Sequence, residues 1–471
     1  MQEEIKLDLL VKGGSVVLPD RVTIVDIGIR GGIIVDISPD IQTPSKQTID
    51  AQGLYVMAGV IDAHVHLNEP GLGEWEGFES GSAALAAGGC TTFIDMPLNG
   101  IPPTVTIDAL NQKLEAARSK GSHVDYALWG GLVPDNLEDL EALADAGVIG
   151  FKAFMSSPGE RGEGCFKEVD DVALFEGMKI IAGKKKVLAV HAESEEIIIA
   201  LSGKFNERKK RTVRHFLESR PLAAELDAVR RVLLYAERTD CPLHLVHISS
   251  PQAVDIIWDA KQNGVNVTVE TCPHYLMFTE DDVEKIGPLA KCAPPIRSAR
   301  EKEGLWGRIA EGKIDWIASD HSPCPPYMKL GSEKDYFAVW GGISGAQSTL
   351  ELMFDEGYLT RGLPLPLLSR MLSEAPARRL GLHPRKGRLA VGYDADIVLI
   401  NPDAPYVLQP EQLLYRHKQS VYTGRSFRCR VTLTMNRGRV VYALDQGVGE
   451  SLGGEWLRSM PPESTRKRSI L

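Results

Sequence analysis

The amino-acid sequence predicts an α/β fold: a (β/α)8 barrel of the TIM type with a small β-sandwich domain built from both termini. Eight short apolar runs, each followed by sequence of helical spacing, occupy the middle of the chain, which is typical of parallel βαβ units. The two ends share a different pattern, with β-branched runs cut by glycine. With 471 residues, 43% of them hydrophobic, the chain is long enough to bury a sizeable core.

The terminal segments predict one small domain closed by both ends of the chain. LLVKGGSVV and VDIGIRGGIIVDIS lie near the start, and GRLAVGYDADIVLI and RVTLTMNRGRVVY lie near the end. Their turn signals, spaced about ten residues apart, indicate an antiparallel sheet or sandwich. We therefore expect residues 1–55 and 386–445 to form the β-sandwich, 56–385 the barrel and 446–471 a C-terminal tail.

The apolar runs of the middle segment predict the barrel strands. A doubly wound open sheet would give a similar alternation, but eight units in this length fit a closed barrel. The runs are Val56–His66, Thr91–Met96, Tyr126–Val133, Gly147–Met155, Val187–Glu193, Pro242–Ser249, Asn266–Tyr275 and Ile314–His321.

Charge and cysteine content restrict the function class. The net charge of −10 argues against a nucleic-acid or anionic-membrane partner. The seven cysteines are odd in number and form no CxxC pair, which predicts a reduced, cytoplasmic protein. The longest apolar stretch, 83–94, is shorter than the ~20 residues needed to cross a bilayer.

Several polar side chains fall where a barrel places its active site, at the carboxyl ends of the strands. His64 and His66 are two residues apart, so a strand directs both rings to one face, as two ligands of one metal require. Each residue alone could equally be a hydrogen-bonded core residue, but four histidines and a carboxylate at four strand ends favour metal binding. The candidate ligands are His64, His66, Lys152, His191, His247 and Asp320.

Asp320 has a second candidate role, because a carboxylate beside a metal can act as a general base. His244 lies three residues before His247, so we expect it to face the helix layer and to be structural. His321 follows Asp320 and points the other way, and it stays unassigned.

Lys152 lies between Phe151 and Phe154, where an unpaired ammonium is costly to bury. One interpretation is that it reaches the barrel mouth or pairs with a carboxylate. The other is that burial lowers the pKa of its amine, which then reacts with carbon dioxide to form a carbamate. The two oxygens of a carbamate could bridge two cations about 3.5–4 Å apart.

The chain closely resembles the cyclic amidohydrolases, in particular their allantoinase branch, which is related to the dihydroorotases and dihydropyrimidinases. The resemblance is carried by GVIDAHVHLNEPG, EWEGFESGSAALAAGGCTTFIDMPLN, GFKAFM, VHAES, HLVHISS, VETCPHYL, KCAPPIR, ASDHSPC and WGGISGAQ. It implies a barrel with a terminal β-sandwich and two divalent metal ions held by the six candidate ligands. It also implies a carbamylated Lys152 between the metals, with zinc favoured over cobalt, manganese or iron, and a homotetramer.

The residue type at position 68, an asparagine, indicates the charge of the substrate. Dihydroorotases carry an arginine at this position, which suits a carboxylate, whereas an asparagine favours a neutral substrate such as allantoin. The resemblance implies hydrolysis of the hydantoin-ring amide of allantoin to allantoate, a step of purine degradation. Asp320 would move the proton, and Asn68 and Ser322 would bind substrate. The alternatives are a hydantoinase or dihydropyrimidinase acting on another cyclic ureide, or a non-catalytic scaffold on the same fold.

Overall fold

The structure is a computed structural model that describes residues 6–159, 164–329, 335–451 and 453–459. It confirms the α/β fold class, with a parallel barrel and a largely antiparallel sheet built from both ends of the chain. Within the described residues, no helix is long and apolar enough to cross a membrane.

The terminal sheet contains nine strands in the described part of the chain. Its strands are β1 (Leu7–Val17), β2 (Val22–Arg30), β3 (Ile33–Ser38), β4 (Ser45–Asp50), β5 (Tyr55–Ala58), β15 (Ile397–Asn401), β18 (Arg430–Asn436), β19 (Arg439–Ala443) and β20 (Gly447–Val448), while β16 (Tyr406–Val407) and β17 (Ser426–Phe427) pair separately. The order in the sheet is β20-β19-β18-β15-β5-β1-β2-β3, with β4 paired to β1.

The two ends of the chain meet where β5 pairs antiparallel with β15, with Val56 opposite Leu399. Both side chains belong to one apolar cluster that also contains Ile27 and Met435. The chain then enters the barrel at Gly59, where an added Cβ would lie 2.3 Å from the side chain of Thr91. The domain boundaries at residues 55, 385 and 445 remain sequence-based predictions.

The barrel strands follow the eight predicted runs. The third run forms two short strands on either side of Trp129, and a parallel bridge between Val65 and His321 closes the barrel. The strands are β6 (Val60–Val65), β7 (Cys90–Asp95), β8 (Asp125–Leu128), β9 (Gly130–Gly131), β10 (Phe151–Phe154), β11 (Leu188–His191), β12 (Leu243–Leu245), β13 (Val267–Thr271) and β14 (Trp316–Ile317).

Helices connect these strands and cover the barrel, as the alternating pattern predicts. The α-helices are α1 (Phe78–Ala87), α2 (Ile107–Lys120), α3 (Leu140–Ala146), α4 (Asp171–Gly183), α5 (Glu195–Glu207), α6 (Val213–Ser219), α7 (Leu222–Thr239), α8 (Pro251–Gln262), α9 (Pro273–Met277), α10 (Glu280–Ile286), α11 (Ala299–Ala310), α12 (Thr349–Leu352), α13 (Leu365–Ser369) and α14 (Ala375–Arg379). Two π-helical segments, Met353–Thr360 and Arg370–Glu374, and the 3-10 turns Leu137–Asp139, Gly287–Ala290, Pro326–Met328, Ala346–Ser348 and Pro410–Gln412 complete the set.

The barrel interior is a packed apolar core rather than a pore. Ile61, Ile94, Ala127 and Trp316 are at most 1% exposed and belong to one cluster. Because such a core is closely packed, it holds the carboxyl ends of the strands rigidly, and active-site side chains there keep fixed positions.

A buried ion network joins the barrel to the terminal sheet. The ammonium of Lys386 lies 2.6 Å from Asp125 of β8, 2.7 Å from Asp396 and 3.1 Å from Asp394. Burial opposes the charge, but the three carboxylates raise the pKa of Lys386 above its ordinary value.

We expect Lys386→Met to destabilise the protein by about 3 kcal/mol or more, because it removes the cation shared by three buried carboxylates and leaves Asp396 with no ion-pair partner among the described residues. Urea unfolding followed by circular dichroism measures this loss. The matched control is Lys46→Met, since Lys46 pairs with Asp8 at the surface and an exposed pair contributes less than about 1 kcal/mol. Equal losses in the two variants would contradict a stabilising role for the buried network.

Candidate metal centre

The six side chains that the sequence singles out lie together at the carboxyl ends of the barrel strands. All six are at most 9% exposed. His64 lies on β6 with His66 directly after it, Lys152 lies on β10, His191 ends β11, and His247 and Asp320 follow β12 and β14.

One half of the cluster consists of His64, His66 and Asp320. The Nε2 atoms of the two histidines lie 3.2 and 3.5 Å from Oδ1 of Asp320. One donor atom from each residue lies within 4.8 Å of the others, a spacing that a single cation could occupy.

The other half consists of His191 and His247. Nδ1 of His191 lies 3.0 Å from Nε2 of His247, so both rings present a nitrogen to the same point. The His247 ring centroid is 5.5 Å from that of His64, which places the two halves side by side.

Lys152 is the buried cation of the cluster. It is fully buried, and its Nζ has no hydrogen-bond partner among the described residues. The ring centroid of Phe154 lies 4.9 Å from Nζ. Burial lowers the pKa of Lys152 to about 8, although Glu270 and Asp320 oppose this shift.

Two carboxylates that the sequence reasoning missed hold the histidines from behind. Oε1 of Glu270 accepts from Nδ1 of His64 at 2.6 Å and from the backbone N–H of His247 at 3.2 Å. Oε2 of Glu193 lies 3.0 Å from Nε2 of His191 and also accepts from Arg220. Such contacts fix the orientation of ligand imidazoles. Glu193 ends the predicted run Val187–Glu193, and that position was an available signal, whereas Glu270 lies inside the run Asn266–Tyr275 and carried no such signal.

The electrostatics keep His66, His191 and His247 neutral and Asp320 ionised, which are the states in which these groups bind cations. Burial lowers the pKa of His66, His191 and His247 below the ordinary value. Burial alone would raise the pKa of Asp320, but His64 and His66 hold it well below its usual range.

The expectation that His244 faces the helix layer is wrong. Its Nε2 lies 3.0 Å from Oε2 of Glu270, and its ring stacks on Trp316 of the barrel core at 3.9 Å between centroids. The alternation argument fails because β12 ends at Leu245 and His247 has a φ of 38°. His244 is nevertheless structural, because it packs in the core and supports Glu270.

His247 and Asp320 share an unusual backbone conformation with Asn68. Their φ angles are 38°, 47° and 66°, in the left-handed region that residues other than glycine rarely adopt. Residues held in this way cluster at functional sites, where the surrounding structure imposes the conformation.

A second group of candidate ligands, Cys272, His274 and Asp320, also lies within 4.8 Å. Burial raises the pKa of Cys272 well above its ordinary value, so its thiol stays protonated. Because the thiolate is the form that binds metals, this group is the poorer site.

The cluster opens into a cavity of about 590 Å³. Ser322 lines the cavity, and its hydroxyl donates to Oδ1 of Asp320 at 3.2 Å. Asn68 lies just behind the wall, where its amide donates to the backbone carbonyl of Asn99, a lining residue. His321 lies apart, buried, with its Nδ1 accepting from the backbone of Gly345.

Residues 55–441 match the family model of the amidohydrolases. The chain belongs to the amidohydrolase family. The allantoinase of Deinococcus radiodurans is 48% identical over 95% of this chain and 98% of that protein. That of Rubrobacter xylanophilus is 48% identical over 92% and 94%, respectively. The L-hydantoinase (dihydropyrimidinase) of Arthrobacter aurescens superposes with a TM-score of 0.89, with 36% identity over 96% of this chain and 98% of that structure.

Membership of this family implies a site for two divalent metal ions, and the donor groups of this amidohydrolase fit such a site. Imidazole nitrogens with carboxylate oxygens are a donor set that zinc and similar ions accept. The cluster also contains the buried amine of Lys152, which has no hydrogen-bond partner among the described residues and is therefore available to carry a bridging group.

We expect Glu270→Gln to weaken the binding of Zn²⁺ to the metal-free protein by about 10- to 100-fold, because the amide holds His64 less firmly. Competition with a chelator measures this affinity. The control is Thr268→Val, which removes the partner of His244 Nδ1 but leaves the contact of Glu270 with His64. An unchanged affinity in Glu270→Gln would show that this carboxylate does not position a ligand.

Proposed function

We propose that this amidohydrolase opens the hydantoin ring of allantoin by hydrolysis of a ring amide, giving allantoate. The observation that carries the proposal is the near full-length similarity to allantoinases, at 48% identity over 95% and 98% of the two chains. All six candidate ligands lie together in the barrel of this chain, which supports a catalytic role over that of a scaffold.

The candidate ligands would divide between two ions. His64, His66 and Asp320 would hold one, and His191 and His247 the other. Lys152 would bridge them as a carbamate, formed when its neutral amine adds carbon dioxide and loses a proton. Two divalent ions, proposed to be zinc, would activate water at neutral pH and polarise the carbonyl of the ring amide.

Asp320 is proposed to move the proton. Its carboxylate is held ionised and lies at the cavity surface, where it can accept a proton from the attacking water. The water oxygen bonds to the ring carbonyl carbon, the C–N bond breaks, and Asp320 returns the proton to the departing ring nitrogen. The contact from Ser322 keeps the carboxylate oriented.

Ser322 is proposed to contact the substrate directly. Asn68 would act through Asn99, whose backbone it holds at the cavity wall. The segment that follows β10 contributes Ser157, Pro158 and Gly159 to the cavity lining, and residues 160–163 lie outside the described part of the chain.

A hydantoinase acting on another cyclic ureide is the second candidate, favoured by the TM-score of 0.89 to the Arthrobacter aurescens L-hydantoinase. We also propose a cytoplasmic location, supported by the cysteine pattern, and a tetramer, which rests on the family resemblance alone.

Activity of the zinc-loaded protein toward allantoin, hydantoin and dihydroorotate tests the proposed function. We expect kcat/KM for allantoin to exceed that for hydantoin by about 100-fold or more, because a site that binds polar groups of its substrate rejects analogues that lack them.

We expect Asp320→Asn to lower kcat by about 100- to 10,000-fold, since it removes the general base.

Asp135→Asn is the matched control, because Asp135 is exposed and pairs only with Lys167 among the described residues. It should keep full activity. Metal-loaded protein that turns over hydantoin but leaves allantoin untouched would overturn the proposal in favour of the second candidate.

A further inference from the structure

One wall of the cavity carries two basic side chains that the proposed mechanism does not use. Arg220 and Lys291 both line the cavity. They flank the ring of Phe216, with the Arg220 Cζ 5.8 Å and the Lys291 Nζ 4.6 Å from its centroid. The only acidic side chain among the described lining residues is Asp320, which is already assigned as a candidate ligand.

Lys291 is held firmly but keeps donor capacity. Its ammonium donates to the backbone carbonyls of Phe337 at 3.1 Å and Val339 at 2.5 Å, and it lies 5.5 Å from the ring of Tyr336. Burial lowers the pKa of Lys291 to about 7, and it is the protonated form, with three N–H donors, that keeps one donor for a ligand beyond the two carbonyl partners. Among the described residues, Lys291 makes these contacts with none of the six candidate metal ligands.

Arg220 is likewise fixed on one side only. One of its terminal nitrogens donates to Glu193, which in turn orients His191. A guanidinium has five N–H donors, so donors remain available at the cavity wall. Arg220 therefore links the histidine cluster to the wall that contains Lys291.

The proposed substrate carries a group that the basic side chains of this wall could bind. Allantoin is a hydantoin ring that carries an exocyclic ureido arm, whereas hydantoin is the ring alone. If the ring amide lies at the candidate metal ligands, the arm would extend into the remaining part of the cavity, which Arg220 and Lys291 line. Its carbonyl oxygen is an acceptor, and cationic donors bind acceptors more strongly than neutral donors do.

We propose that Lys291 and Arg220 form a subsite for the ureido carbonyl of the substrate and thereby select allantoin over hydantoins without the arm. This inference rests on the proposed hydrolysis of allantoin. It assigns Lys291 to substrate selection and leaves the bond-breaking step to the histidine cluster and Asp320.

The chain offers a matched control for Lys291. Lys329 is also buried, and its ammonium donates to the backbone carbonyls of Trp340 at 2.9 Å and Gly342 at 2.7 Å, in the same segment that Lys291 holds. Lys329 does not line the cavity. The two lysines therefore share the role of fixing residues 337–342, but only Lys291 can reach a ligand.

The test compares Lys291→Met and Lys329→Met in the zinc-loaded protein. For Lys291→Met we expect the KM for allantoin to rise about 10-fold or more at similar kcat, because one charge-assisted hydrogen bond is lost. The inhibition constant of hydantoin should stay within about 2-fold, because hydantoin lacks the arm. Lys329→Met should change both constants by the same factor. Lys291→Gln, which also removes the charge, is measured as a second variant in case Lys291→Met does not fold.

Two results would overturn the subsite. One is an equal change of both constants in the Lys291 variants, and the other is the same selective loss in Lys329→Met, which would assign the effect to the segment 337–342. If the wild-type protein turns over allantoin and either result is found, only the subsite is wrong. If the wild-type protein does not turn over allantoin, the proposed function fails as well.

Discussion

The burial of Lys152 without a hydrogen-bond partner among the described residues is the constraint on which the rest of the site depends. An isolated ammonium in a protein interior costs several kcal/mol, and the usual responses are an ion pair or loss of the proton. Here the surrounding groups are the four histidines and Asp320, and none of the described residues hydrogen-bonds to the amine. The proposed carbamate, joining two cations, would satisfy the amine and the histidines together.

The fold supplies this arrangement in successive layers. The apolar barrel core fixes the strand ends, Glu270 and Glu193 fix the imidazoles, and the left-handed backbone of His247 and Asp320 directs their side chains inward. Glu270 and Glu193 matter for metal binding as much as the ligands do, because an imidazole ring that can rotate presents the wrong nitrogen to the metal for part of the time. The rigidity of the metal centre therefore depends on the apolar barrel core and on the two carboxylates, Glu270 and Glu193.

Much of this architecture could be predicted from the sequence, because strand and helix periods and the DAHVH spacing are local properties. The parts that could not be predicted depend on contacts between distant segments. Glu270 reaches His64 across 206 positions of sequence, and no local pattern marks that pair. The orientation of His244 was predicted wrongly because a strand's alternation holds only as far as the strand extends. Asn68 was predicted to contact substrate, but it lies behind Asn99, which lines the cavity in its place. The sequence does not show which of the two residues reaches the cavity surface.

Anomalous diffraction at the zinc edge, from crystals grown with Zn²⁺ and bicarbonate, tests the central claim most directly. The account predicts two peaks in each chain, one beside His64 and His66 and one beside His191 and His247. Electron density extending from Nζ of Lys152 should lie between them. A single peak, or two peaks with an unmodified Lys152 that touches neither, would contradict the account.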